Sequence, residues 1–285
     1  MKFLILGHYS YDVLHDSEGA ERQTRGGMHQ VIERLAGLAS RQDRIIPVLG
    51  VQSAEHAAII QELKALPNVD SSGIYPMETP CHRVHYYPQA NGTRVACVRE
   101  MADPIPFERI RKFLDADGVL INMMSGTDLR LETLDEIRMA IRETGTKLHL
   151  DFHNLTLGIG PNGERMRRPV PEWRRWAFMA DTLQMNEEEI GGLTLERMSE
   201  QQTVGHILTL GVKGVVVTRG AMGATLFVSE HKQVIRKDGA TPAAPGESGP
   251  GSGDRFGAAF FLQYCTTGDL GKSLEFAVAA MTGAE

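Results

Sequence analysis

Gly251-Ser252-Gly253-Asp254 places small residues and one carboxylate directly ahead of an apolar run, Phe256-Gly257-Ala258-Ala259-Phe260-Phe261-Leu262, which reads as a helix. Glycines at a helix start let backbone N–H groups come close to a ligand. The unpaired amides and the positive end of the dipole there favour an anion. Asp254 itself has two readings: it caps the helix, or it takes a proton from a hydroxyl while the amides hold a transferring phosphoryl group. Asn186-Glu187-Glu188-Glu189 poses the same choice. It is a capped helix start with acidic residues in the first turn, or a carboxylate site that holds Mg²⁺ through water. Val215-Val216-Val217 followed by Thr218-Arg219-Gly220-Ala221-Met222-Gly223 is a strand with a small-residue turn. It is either an ordinary tight turn or a surface on which a nucleotide lies against the backbone.

Two further groupings suggest other chemistry. His149, Asp151 and His153 alternate, and on a continued strand they would share one face as Zn²⁺ ligands of a metal-dependent hydrolase. The strand is expected to end near Asp151, and no fourth ligand is evident. Arg165, Arg167, Arg168, Arg174 and Arg175 surround Trp173 and Trp176. Mixed basic and aromatic residues suit nucleic acid. The i, i+3 spacing of the tryptophans instead suits an amphipathic helix facing the core, preceded by a solvated loop, and this is the reading adopted.

These residues need a scaffold, and the apolar pattern supplies one. Short runs at Phe3–Leu6, Arg44–Leu49, Val119–Ile121, Leu148–Leu150, Thr182–Met185 and Val215–Val217 alternate with helix-period segments. Met28, Val31, Ile32, Leu35 and Leu38 form one such face; Leu131, Leu134, Ile137 and Ile141 form another. The alternation predicts an α/β fold, a mostly parallel central sheet with helices on both faces. Ligands in such sheets bind beyond the carboxyl ends of the strands. Asp12, Asp151, Asn186 with Glu189, Thr218 with Gly220, and Gly251–Asp254 all fall at that edge. Two stretches break the alternation. Residues 8–25 are polar without helical period, and 74–100 hold two β-like runs joined through Asn91-Gly92, a hairpin signal. The hairpin is read as an excursion from the main sheet and a candidate lid.

Composition narrows the class. A chain of 285 residues, 42% hydrophobic, buries a substantial core. No apolar run reaches about 18 residues, so no membrane span is expected, and the N-terminal apolar run reads as a buried strand, not a leader. Three widely spaced cysteines suit a reducing cytoplasm. A net charge of −6 offers nucleic acid no general attraction.

Taken together and in order, these motifs resemble the ribokinase-like PfkB family. Gly251-Ser252-Gly253-Asp254 is similar to its GAGD signature with Ser252 in the Ala position, Asn186–Glu189 to its NxxE motif, and Val217–Gly223 to its nucleotide-binding strand and turn. Gly26-Gly27 resembles its Gly-Gly substrate motif, and Asp12 falls where an Asp for the substrate hydroxyl lies. The resemblance implies phosphoryl transfer from ATP to a sugar or polyol hydroxyl, or, as the alternative, to a nucleoside. Asp254 would be the base, and the amides of Gly251, Ser252 and Gly253 the anion hole. Asn186 and Glu189 would organise Mg²⁺, Thr218, Gly220 and Gly223 would line the nucleotide site, and Asp12, Gly26 and Gly27 would contact the acceptor. It further implies a single 1–285 domain with a small β-lid formed from parts of 8–25 and 74–100, and dimerisation through that lid.

The chain departs from the family at several points. Val31 stands where Asn is common, Ser248-Gly249 where Asp-Thr precedes the signature, and Val51-Gln52-Ser53-Ala54 where a Gly-Asp-Asp-like region is usual. The chain ends at Glu285, soon after Gly283-Ala284. Val31 bears on substrate identity, and Ser248-Gly249 and the end at Glu285 bear on nucleotide affinity. They motivate a competing reading, a kinase-fold protein that binds a ligand without transferring phosphate.

Overall fold

The computed structural model describes residues 1–239 and 251–281. Ser248, Gly249 and Glu285 lie outside the described residues. The apolar run at the N-terminus forms β1 (Lys2–Leu6), an interior strand of the large sheet. A polar hairpin follows, β2 (Ser10–His15) and β3 (Glu21–Arg25), then α1 (Gly27–Leu38), which buries Met28, Val31, Ile32 and Leu35. Next come β4 (Arg44–Gln52), α2 (Ser53–Leu63) and β5 (Ile74–Met77), and then the hairpin of β6 (His82–Pro88) and β7 (Arg94–Glu100).

Strand and helix then alternate. α3 (Phe107–Ile110) leads to β8 (Gly118–Asn122), α4 (Leu131–Ile141) to β9 (Lys147–Asp151). A short ribbon of β10 (Leu157–Ile159) and β11 (Arg165–Arg167) and helix α5 (Trp173–Phe178) precede β12 (Thr182–Asn186). The chain continues through α6 (Glu187–Gly191), α7 (Glu200–Thr209), β13 (Gly214–Thr218), β14 (Ala224–Glu230), β15 (Gln233–Gly239), α8 (Ser252–Thr267) and α9 (Leu270–Met281).

The large sheet runs β15-β14-β13-β12-β9-β8-β1-β4-β5. Its strands from β13 to β5 are parallel, and β14 and β15 are antiparallel additions at one edge. Parallel strands covered on both faces must be apolar on both faces. That is why Phe3–Leu6 and Val215–Val217 are continuous hydrophobic runs, each residue fully buried. One core layer packs α4, α5 and α7 against one face; α1 and α8 pack against the other. Strand order reverses between β1 and β8, and in open α/β sheets ligands bind beyond the carboxyl ends of the strands near such a reversal.

The second sheet, β3-β2-β6-β7, stands apart from the first. It combines residues from 8–25 with those of the 82–100 hairpin. Ile74–Met77, within the range read as the same excursion, instead pairs with β4 at the edge of the large sheet. β4 itself runs three residues past Leu49, because Val51 and Gln52 find partners in β5.

Candidate active site

Asp254 lies in the first turn of α8 and is buried, 7% exposed. The helix begins there because Gly251, at φ +80°, turns the chain through the left-handed region that glycine alone enters freely. A Cβ at that position would stand 1.8 Å from Gln30 Oε1. The start of α1 meets the same point. A Cβ on Gly27 would stand 2.3 Å from Asp254 Oδ2, so the absent side chain is what lets α1 pack against the carboxylate. Two helix N-termini thus converge on one carboxylate. From the end of β8, Asn122 Nδ2 donates to Asp254 Oδ1 at 2.8 Å, while the buried Asn122 Oδ1 has no hydrogen-bond partner among the described residues.

Beyond Asp254, toward β12 and β13, runs a cleft of about 460 Å³. It is lined by Gly251, Ser252 and Gly253, by Asn186 and Glu189, and by Thr218, Gly220 and Gly223, along with Asp151 and His153. The three C-terminal motifs, separated by up to 68 residues of chain, therefore share one wall system. Gln184 ties the layers together, its Nε2 donating to both Asp151 Oδ2 (2.8 Å) and the Gly253 carbonyl (2.9 Å).

Asn186 and Glu189 form a reciprocal capping box on α6. Asn186 Oδ1 accepts from the Glu189 amide (2.8 Å), Glu189 Oε2 accepts from the Asn186 amide (2.7 Å), and Asn186 Nδ2 donates to Glu189 Oε1 (2.8 Å). The capping reading of this motif is thus realised. Each carboxylate oxygen keeps a second lone pair, and a hard oxygen donor at a cleft wall suits a hydrated Mg²⁺ held through water.

His153, which the alternation of His149, Asp151 and His153 offered as a zinc ligand in a competing reading, has a different environment. It leaves the strand at φ +34°, a conformation costly for a non-glycine residue and concentrated at functional sites. Its ring lies 3.9 Å from both Glu189 Oε1 and Asp254 Oδ1. Burial alone would lower its pKa; the pull of Glu189, Asp254 and Asp151 outweighs that and pushes it up to about 9. The imidazolium therefore supplies positive charge beside Glu189, Asp254 and Asp151. Burial drives Asp151 well above the ordinary carboxylate range, aided by Glu189 and Asp254 and opposed by His153. His149 is elsewhere: its Nδ1 pairs with Thr182 Oγ1 at 2.8 Å, its ring packs on Phe260 and Phe261, and burial lowers it to about 3. The His149–Asp151–His153 zinc site is not formed, because the chain turns after Asp151 and sends the two imidazoles to different surroundings.

Asp12 is placed on β2, inside the small sheet and on the side facing Asp254 and His153. Burial raises its pKa against the attraction of Arg165 and Tyr86. Tyr86, on β6, is pushed up to about 12 by burial, with Asp12 adding to the shift. Gly26, unlike Gly27, touches Ser10 and not the carboxylate.

Arg165 corrects the reading of its whole stretch as a solvated loop. Arg167, Arg174 and Arg175 do make surface ion pairs with Glu188, Glu196 and Asp135, and Trp173 and Trp176 face the core. Arg165 instead points inward from β11 toward Asp12, Tyr86 and Asp128; burial lowers its pKa while those groups raise it. Its guanidinium makes a hydrogen bond with His82 Nε2, at 3.1 Å. No carboxylate lies within ion-pair distance of it among the described residues. Asn122 and Arg165 are thus site residues that the motifs did not mark. Asn122 had a signal, a polar residue ending an apolar strand like Asp151 and Asn186. Arg165 had none, since its inward direction is set by the β10–β11 ribbon.

The pfkB family carbohydrate kinase model matches residues 161–283. No curated protein matches the chain. Solved structures share the fold over nearly its full length. A pyrophosphate-dependent kinase in the ribokinase family, in complex with sulfate, superposes with a TM-score of 0.79 at 17% identity, covering 99% of this chain and 94% of that one. Ribokinase from Thermotoga maritima gives 0.74 at 16%, covering 99% and 91%. Arabidopsis thaliana ribokinase complexed with ribose and ATP gives 0.70 at 19%, covering 98% and 91%. The fold is ribokinase-like, and the resemblance to the PfkB carbohydrate kinases seen in the motifs is borne out.

Proposed function

From that kinship with the PfkB carbohydrate kinases, we propose that this chain is a kinase that transfers the terminal phosphoryl group of ATP to a hydroxyl of a sugar or polyol. The observation that carries the reading is the convergence of two helix starts on the buried Asp254 carboxylate, at the mouth of a cleft lined by glycines.

In this reading the acceptor lies between the two sheets. Asp12, Arg165 and Asn122 Oδ1 hold its hydroxyls, and the start of α1 at Gly26 and Gly27 forms one wall beside it. Asp254 accepts the proton of the attacking hydroxyl as its oxygen bonds to phosphorus and the bond to the leaving phosphate breaks. The amides of Gly251, Ser252 and Gly253 stabilise the charge on the transferring group. His153, a cation beside the base, adds positive charge at the same place and holds Glu189 and Asp254 in position. Thr218, Gly220 and Gly223 line the remainder of the donor. Magnesium brought with the donor phosphates would neutralise part of their charge, with Asn186 and Glu189 holding its water. The small sheet, as a lid on a single domain, excludes water from the transfer. Dimerisation through that lid and a cytoplasmic location complete the reading.

A second donor deserves test, because a pyrophosphate-dependent kinase is among the structures most similar in fold. Donor and acceptor are settled together by measuring transfer from ATP and from pyrophosphate, with Mg²⁺, to a panel of sugars, polyols including myo-inositol, and nucleosides. ADP formation with a sugar or polyol is the expected result. Turnover of a nucleoside moves the acceptor class, and turnover with pyrophosphate alone moves the donor. Binding without transfer to any acceptor overturns the kinase reading in favour of a ligand-binding role.

A further inference from the structure

The face of the small sheet opposite Asp12 carries a second cluster of chemically active side chains, which the phosphoryl-transfer reading does not use. His15 is paired across the antiparallel strands with Glu21, and His85 lies opposite Val13 on the parallel neighbour β6. Side chains two apart share a face of a strand. The register therefore brings His15, Glu21 and His85 together from three strands. His15 Nε2 and His85 Nδ1 are 2.9 Å apart, and His15 Nδ1 is 3.7 Å from Glu21 Oε1. One potential ligand atom from each of the three residues falls within 4.8 Å of the others.

The rings are also held in place. Tyr87 stacks on His15 with centroids 4.2 Å apart, and the turn that presents Glu21 is fixed by the Asp16 side chain, which accepts from the amides of Glu18 and Ala20. A hydrogen bond between two imidazoles requires an unprotonated ring nitrogen, which is the form that binds a metal.

We propose that His15, Glu21 and His85 form a binding site for a divalent cation of the zinc class on the outer face of the small sheet. Two imidazoles and a carboxylate are a known zinc donor set, completed by water. Water has access, since the Glu21 side chain is 60% exposed while that of His15 is only 11% exposed. Zinc–nitrogen bonds of about 2.0–2.1 Å set neighbouring ligand atoms of a tetrahedron about 3.3 Å apart. The imidazole nitrogens therefore part by about 0.4 Å on binding, a rotation of two side chains. The ion would fasten β2, β3 and β6 together, and β2 carries Asp12 on its other face. Occupancy would thus stiffen the strand that faces the acceptor. The site stands independently of any phosphoryl transfer.

The test uses the full chain, stripped of metal by chelation and titrated with Zn²⁺ by calorimetry, alongside the His15→Asn/His85→Gln double variant and Glu21→Gln. Wild type is expected to bind one ion per chain and to melt at higher temperature with zinc. The double variant is expected to lose affinity by about a hundredfold, and Glu21→Gln by about tenfold. Co²⁺ in place of Zn²⁺ is expected to give wild type the visible absorption of a tetrahedral site, a readout that needs no variant to fold. Absence of saturable binding by wild type overturns the proposal. So does unchanged affinity in a folded double variant, or in Glu21→Gln together with an octahedral cobalt spectrum.

Discussion

Replacing Gly27 with alanine tests the packing that places the proposed base. The added methyl would stand 2.3 Å from Asp254 Oδ2, 2.8 Å from its Cγ and 2.5 Å from Met124 Cε. Ordinary contact begins near 3.5 Å, so the methyl demands a displacement of about 1 Å. Met124 can yield at the end of a flexible chain. Asp254 is anchored in the first turn of α8 and tied to Asn122, so its carboxylate must rotate away or α1 must move back. Overpacking of this kind costs about 1–3 kcal/mol of stability, and a misplacement of about 1 Å at the reacting centre costs about a hundredfold in rate. Steady-state transfer with the acceptor identified from the panel, measured beside thermal unfolding, separates the two effects. A fall in kcat of about a hundredfold in a protein that is still folded at the assay temperature is expected. Full turnover by a folded Gly27→Ala variant would refute the placement of Asp254 as the base, since the methyl cannot be added without disturbing its carboxylate.

Three further outcomes follow from the same geometry. Asp254→Asn keeps an oxygen to accept from Asn122 and is expected to lower kcat/KM by about 10²- to 10⁴-fold, about 3–5 kcal/mol of barrier; an unfolding midpoint near wild type shows that the loss is chemical. Arg165→Ala is expected to raise KM for the acceptor about tenfold or more, from the loss of a charged hydrogen-bond donor, and to leave KM for the donor unchanged; equal effects on both would place Arg165 outside the acceptor chamber. The raised pKa of His153, about 9 in the fold against about 6.5 unfolded, contributes stability fully present below pH 6.5 and lost as pH rises through 9. With the side chain 32% exposed, solvent screening leaves about 1–2 kcal/mol of this. Wild type is therefore expected to lose stability to urea across that interval, and His153→Gln to show a flatter profile.

The division between sequence and structure follows from how far each signal reaches along the chain. Apolar runs and helix-period faces are local, and they alone located β1, β8, β9, β12 and β13, the helices α1 and α4, and the parallel sheet these must form. The three motifs near Asn186, Thr218 and Asp254 were legible for the same reason. Each marks a strand end or a helix start, and a parallel sheet brings its strand ends to one edge. The polar stretch 8–25 and the Asn91-Gly92 hairpin were visible as departures from the alternation, yet nothing local said that β2 would pair with β6, seventy residues away. That pairing alone brings His15 to His85 on one face and Asp12 toward the cleft on the other. Tertiary structure also decided the directions of single side chains. A basic stretch gave no sign that Arg165 turns inward while Arg167, Arg174 and Arg175 find surface carboxylates, because the turn is set by the β10–β11 ribbon. An alternating His-Asp-His suggested one face of a strand, but the backbone at His153 leaves the strand at a positive φ and carries that imidazole to Glu189 and Asp254. Composition and periodicity thus determine which elements form and which edge is chemically equipped. The charge state and direction of each group there depend on burial and on neighbours distant in sequence, and those exist only once the chain has closed around them.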